Sequence, residues 1–130
     1  MATVRRKKKV KEKKSPKDYK HWVELPKNVK VSYSNFAISD CSETIARKEE
    51  MMAECCVETS KIRVFPVTSK HEMCNTVLHE ILHAICWTQG LSSTLSSATE
   101  EKVVIAMANG LTLLMRDNPE LMKWFKKNLK

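Results

Sequence analysis

Glycine and proline are scarce in this chain, two and four among 130 residues, and long apolar runs are missing altogether. No stretch approaches the roughly 18–20 consecutive apolar residues of a membrane span, and the cationic N-terminal segment is not followed by the apolar core of a secretory signal. A CxxC pair is missing too. The five cysteines, Cys41, Cys55, Cys56, Cys74 and Cys86, are odd in number and two are adjacent, which argues against both a disulfide framework and a structural zinc knuckle. These absences lead to the expectation of reduced thiols in a soluble, cytoplasmic protein without membrane contact. What is present, 42% hydrophobic and 29% charged residues with no internal repeat, is the composition of one globular domain.

The formal charge of +8 suggests a nucleic-acid binder until it is mapped. Residues 1–20 hold ten Lys and Arg against two acids, whereas residues 21–130 hold thirteen of each. The basicity therefore belongs to a tail rather than to a folded surface. Residues 1–16, with two valines as their only sizeable apolar groups after Met1, bury too little to offset the entropy of ordering. The expected organisation is a disordered basic tail over 1–20 and a single domain over 21–130. Eight Lys and Arg within residues 5–14 can neutralise phosphates without sequence preference, so non-specific contact with nucleic acid is one expectation, although no aromatics are interleaved for base stacking.

Within the domain, residues 29–38 (VKVSYSNFAI) are rich in β-branched and aromatic side chains with partial period-two alternation, which predicts a strand. Residues 39–53 (SDCSETIARKEEMMA), acid-rich at their start, suit a helix. ECCVET and KIRVFP then read as two short strands turning at Ser60, with Pro66 closing the second. Ser69 and Glu72 fit a capping box, Val77, Leu78, Ile81, Leu82 and Ile85 recur at helical spacing, and Gly90 stands where a C-terminal cap belongs. A helix is therefore expected over 70–89. Ser97 and Glu100 repeat the capping-box spacing before a second helix whose run 103–108 is apolar all round, which predicts a central helix buried on every side. Asn109 and Gly110 interrupt that helix without ending it, the glycine costing about 1 kcal/mol. Asn118 as cap and Pro119 at the first helical position begin a last amphipathic helix with Leu121, Met122, Trp124, Phe125 and Leu129. The expected fold class is α+β, with a small antiparallel or mixed sheet of about three strands.

On the first of these helices lies His79-Glu80-Ile81-Leu82-His83, an HExxH pattern. Two histidines four apart lie about 40° from each other around a helix, so both imidazoles can reach one cation, while Glu80 is offset enough to contact an attacking water instead. With four His and twelve Glu in the chain, a chance HExxH has odds of about one in a hundred. The plainer alternative, two histidines hydrogen-bonded on a core helix, would bury His, Glu and His together with several polar groups to satisfy.

A catalytic zinc needs a third protein ligand and keeps its fourth position for water. No histidine follows position 83, which excludes the HExxHxxGxxH type and leaves an acid or a thiol. Cys86 lies seven residues from His79, about 10 Å along the helix axis, too far to share one tetrahedral ion, and reads as a small core hydrophobe. Glu100 and Glu101, in the first turn of the second helix, are better placed. With Ser97 as N-cap, Glu100 is drawn into the capping box and Glu101 projects about 100° away, which favours Glu101 and keeps Glu100 as the alternative.

HEILHAI (79–85), TEEKVVIAMANGL (99–111) and RDNPEL (116–121) together resemble the small HExxH proteins encoded by tailed bacteriophages and their hosts, described as zinc metallopeptidases of gluzincin type. The likeness covers residues 60–121. It implies a zincin-like minimal core, in which an edge strand, here KIRVFP, precedes the HExxH helix and pairs with an extended peptide substrate. It also implies a glutamate-bearing helix that supplies the third ligand. On this resemblance His79 and His83 carry over as ligands to Zn2+, Glu80 as the catalytic base, and Glu101 or Glu100 as third ligand. The chain departs from that group in its longer segment at 39–53 and its basic tail.

The expected activity is zinc-dependent hydrolysis of peptide bonds, with Glu80 activating water. Tyr33 and His71 are the candidates for oxyanion stabilisation; Tyr33 is expected to pack in the sheet and His71 to be exposed. The competing expectation is a non-catalytic, metal-stabilised binding module that contacts nucleic acid through residues 5–14.

Overall fold

In the computed structural model, residues 23–40, 53–65 and 69–130 are described. The basic tail expected over 1–20, nearly all of the helix expected over 39–53, Cys41 and Pro66 lie outside them. The elements are β1 (Asn28–Val31), β2 (Ser34–Asp40), β3 (Ala53–Cys56), β4 (Lys61–Val64), α1 (Lys70–Thr88), α2 (Ser97–Asp117) and α3 (Pro119–Asn128). The class is α+β, with four strands among the described residues where about three were expected.

The single strand expected over 29–38 is in fact a hairpin. β1 pairs antiparallel with β2 in the register Val31↔Ser34, so Ser32 and Tyr33 form the turn, and Ser32 takes φ +55°. The polar run Ser-Tyr-Ser that blurs the alternation is the turn itself. Tyr33 consequently stands at the hairpin tip, 73% exposed, and does not pack in the sheet. Ser39 and Asp40 extend β2 and Ala53 opens β3, which corrects both ends of the helix expected between them.

The strand order is β1-β2-β4-β3, with β4 parallel to β2 and antiparallel to β3. KIRV is thus an inner strand bonded on both sides, and the expectation of a free edge there is overturned. The reason is its apolar content: Ile62 and Val64 are both fully buried, which suits the middle of a sheet. The edge is β3. On the covered face, Phe36 and Ile38 from β2 and Ile62 and Val64 from β4 alternate with exposed or half-buried neighbours, and pack with Val31, Met73 and Ala84 into one core. Arg63 and Glu54, directly opposite in register, pair across β4 and β3.

α1 lies across this sheet and α2 lies on α1. At the start of α1, Ser69 Oγ accepts the backbone N–H of Glu72 at 3.1 Å. At its end Gly90 takes φ +79°, and the N–H groups of Gly90 and Leu91 close on the carbonyls of Trp87 and Cys86 at 3.2 and 2.8 Å, a Schellman arrangement. α2 runs unbroken through Asn109 and Gly110. Only Val104, Ala108 and Thr112 on it are buried, at i, i+4 and i+8, while Val103, Ile105 and Met107 are each more than 40% exposed. The expectation of burial on every side is therefore corrected: α1 separates α2 from the sheet, so a single stripe of α2 meets the protein. Asn118 does not cap α3 with its side chain; its Nδ2 donates back to the Leu114 carbonyl at 3.0 Å, and Pro119 alone marks the helix start. No helix among the described residues is long and apolar enough to cross a membrane. Cys55, Cys56, Cys74 and Cys86 are all free thiols.

Candidate metal centre

The antiparallel seam between α1 and α2 builds the centre. At one end Asn75 Nδ2 donates to Asn109 Oδ1 at 2.9 Å and lies 3.4 Å from Thr112 Oγ1. Thr112, the buried member of this polar group, in turn donates its hydroxyl to the Ala108 carbonyl at 2.7 Å and is satisfied. One and two turns along α1 from Asn75, the same register brings His79 and His83 opposite the N-terminal end of α2. There His79 Nε2 lies 3.1 Å from Glu101 Oε1, and His83 Nε2 lies 2.9 Å from Glu101 Oε2 and 3.2 Å from His79 Nε2. The ligand atoms of His79, His83 and Glu101 all fall within 4.8 Å of one another.

Those separations suit a metal ion. Bonds of about 2.0–2.1 Å in a tetrahedral shell set ligand atoms about 3.3 Å apart, close to the distances found. The donor chemistry agrees. A carboxylate only accepts, and two imidazole nitrogens aimed at each other across 3.2 Å can share at most one proton between them without repulsion, whereas a cation satisfies all three groups. Burial lowers the pKa of His79 and outweighs the opposing pull of Glu101, with His83 adding to the fall, so the neutral, metal-binding form is favoured.

Glu80 sits apart from the three converging atoms, 7% exposed, and lines the same cleft. Burial pushes its pKa up to about 7; Glu101 and Glu54 push the same way, and His83 opposes them. The cleft, about 480 Å³, is lined besides by Ala53 and Cys55 of β3, by Val57 just after it, and by Trp87 and Ser92. Burial foremost, with Glu80 and Cys56 adding, pushes the Cys55 thiol up to about 12, so it stays protonated beside the site. Cys86 is buried at 6% exposure, outside the ligand group, as a core residue. Tyr33 and His71 do not line the cleft.

Glu100 has a different place from the one expected. The N-cap of α2 is Ser96, not Ser97; its hydroxyl oxygen accepts the Thr99 N–H at 3.2 Å, so the helix starts one residue earlier. Glu100 is thereby released from capping, and its carboxylate bonds His83 Nδ1 at 2.8 Å and the hydroxyl of Ser92. The Ser92 bond, with help from His83, holds the Glu100 carboxyl below the usual carboxylate range against the cost of its burial. Ser92 escaped sequence reasoning because it lies in the α1–α2 loop at no motif spacing. Compared with models of known families, with curated proteins and with solved structures, the chain matches none.

Proposed function

We propose that this protein is a zinc-dependent metallopeptidase-like hydrolase that cleaves peptide bonds, with His79, His83 and Glu101 holding the ion and Glu80 serving as general base. The observation that carries this reading is the convergence of three ligand atoms in the lining of an open cleft, with a buried carboxylate, Glu80, between the two histidines on their helix. Bound zinc would supply Lewis-acid polarisation of the scissile carbonyl and bring the pKa of water down toward about 7. Glu80 takes the proton of the attacking water and passes it to the leaving amine. The free edge of β3, which has no strand partner on its outer side among the described residues, borders the cleft and suits a substrate that binds extended, by strand addition. The resemblance to gluzincin-type HExxH proteins supports the same roles for His79, Glu80 and His83.

The deciding experiment loads the full chain with zinc, incubates it with a proteome-derived peptide library, and maps new termini by mass spectrometry. Cleavage that needs zinc and vanishes in Glu80→Gln is expected. No cleavage by the zinc-loaded chain, or equal cleavage by the variant, would overturn the proposal.

A further inference from the structure

A histidine that binds a metal through one ring nitrogen commonly donates from the other, because that second bond fixes the tautomer and the ring's orientation. His83 meets this condition. Its Nε2 turns to His79 and Glu101, and its Nδ1 lies 2.8 Å from Glu100 Oε2. A carboxylate only accepts, so Nδ1 is the nitrogen that donates to Glu100, and in the neutral ring Nε2 then keeps its lone pair for a cation. The other oxygen of Glu100 accepts the Ser92 hydroxyl, so both carboxylate oxygens are tied. Ser92 is itself held, its backbone N–H donating to the Cys86 carbonyl at 3.2 Å, just past the Gly90 cap. Capping of α2 falls to Ser96, so no demand of the helix end competes for Glu100.

We propose that Glu100 and Ser92 are a positioning pair for the metal centre: Ser92 fixes the Glu100 carboxylate, and Glu100 holds His83 as the Nδ1–H tautomer with Nε2 directed at the cation. This inference rests on His79, His83 and Glu101 being metal ligands, and it adds two residues that act through His83 without touching the ion. It also gives the short α1–α2 loop a task, since the loop brings Ser92 against Glu100 eight residues away in sequence.

The test measures zinc affinity of the full chain by competition with a chromophoric chelator, together with the visible absorption of the cobalt(II)-substituted protein and the melting temperature. Glu100→Ala should weaken zinc binding by about 10- to 100-fold and alter the cobalt spectrum as His83 loses its fixed orientation. Glu100→Gln should recover most of that loss, because its amide oxygen still accepts from Nδ1–H and its NH2 can donate to Ser92 Oγ. Ser92→Ala should cost less than Glu100→Ala, roughly tenfold or below. Ser96→Ala should lower the melting temperature and leave affinity and spectrum unchanged, which separates positioning from helix stability. Wild-type zinc affinity and cobalt spectrum in Glu100→Ala would overturn the inference, as would an equal affinity loss in Ser96→Ala. Should Glu100→Ala fail to fold, Glu100→Leu takes its place, filling the volume without an acceptor for Nδ1–H, and wild-type affinity and cobalt spectrum there overturn the inference. A wild-type chain that takes up no zinc sinks this inference and the proposed function together, whereas graded zinc affinities without peptide cleavage sink the hydrolase alone.

Discussion

Glu80→Gln should make the metal-free protein more stable at pH 8 and change little at pH 4.5. Burial lifts the Glu80 pKa from its ordinary 4.5 to about 7, with Glu101 and Glu54 contributing and His83 opposing. In the folded chain the proton is therefore held over a range where the unfolded chain has released it. Below pH 4.5 the group is neutral in both states and carries no penalty; as pH rises through 7, the stability associated with that proton is lost. At about 1.4 kcal/mol per pKa unit, the full penalty is about 3 kcal/mol. Glutamine has nearly the same shape and no charge, so the variant escapes the penalty. The assay is urea unfolding of wild type and variant in the presence of a chelator, at pH 4.5, 6 and 8, with the difference taken at each pH so that titrating groups remote from Glu80 cancel. A variant advantage that grows to a few kcal/mol between the acid and alkaline limits is expected. If the variant is no more stable than wild type at pH 8, or gains its advantage at acid pH instead, then the carboxylate is not paying a desolvation penalty and the reasoning fails.

The proposed ligand set predicts that the wild type binds one zinc per chain by elemental analysis, that His79→Ala, His83→Ala and Glu101→Gln each lose stoichiometric zinc, and that Glu80→Gln retains it. Zinc kept by both histidine variants would refute the site. The observed cap predicts that Ser96→Ala destabilises the fold by about 1 kcal/mol while Ser97→Ala is nearly neutral, as read by thermal unfolding. Gly90→Ala should cost about 1–2 kcal/mol from its φ of +79° alone, since an added Cβ meets nothing within 4 Å; an unchanged melting temperature would show that the α1 terminus relaxes.

Local chemistry was enough to determine α1. Ser69 at its start, the apolar spacing along it and Gly90 beyond its end are short-range signals, and the helix they define presents His79 and His83 on one side by helical periodicity. The pairing of that helix with a glutamate from α2 was also legible, because HExxH lacks a third ligand and acids cluster at the next helix start. The residue expected there, Glu101, is the one that meets both histidines, but the cap is not the expected one: Ser97 has the capping-box spacing to Glu100, whereas Ser96 caps the helix and Glu100 bonds His83 instead.

Other features required the tertiary structure. Whether 29–38 is one strand or a hairpin turns on which face is covered, because Phe36 and Ile38 reach the core only if the chain reverses at Ser32. Strand order was equally hidden: β4 lies inside the sheet because β2 pairs with it in parallel, a contact no local pattern encodes. The apolar run of α2 announces burial in sequence, yet a helix separated from the sheet by α1 can bury only the stripe that touches α1. Ser92 became visible last, since a loop hydroxyl acquires meaning only when the fold brings it against a carboxylate already engaged with His83. Sequence determined what is set by neighbours a few residues apart, the helix, its caps and the two histidines on it; the tertiary structure decided each feature that depends on which surface faces another.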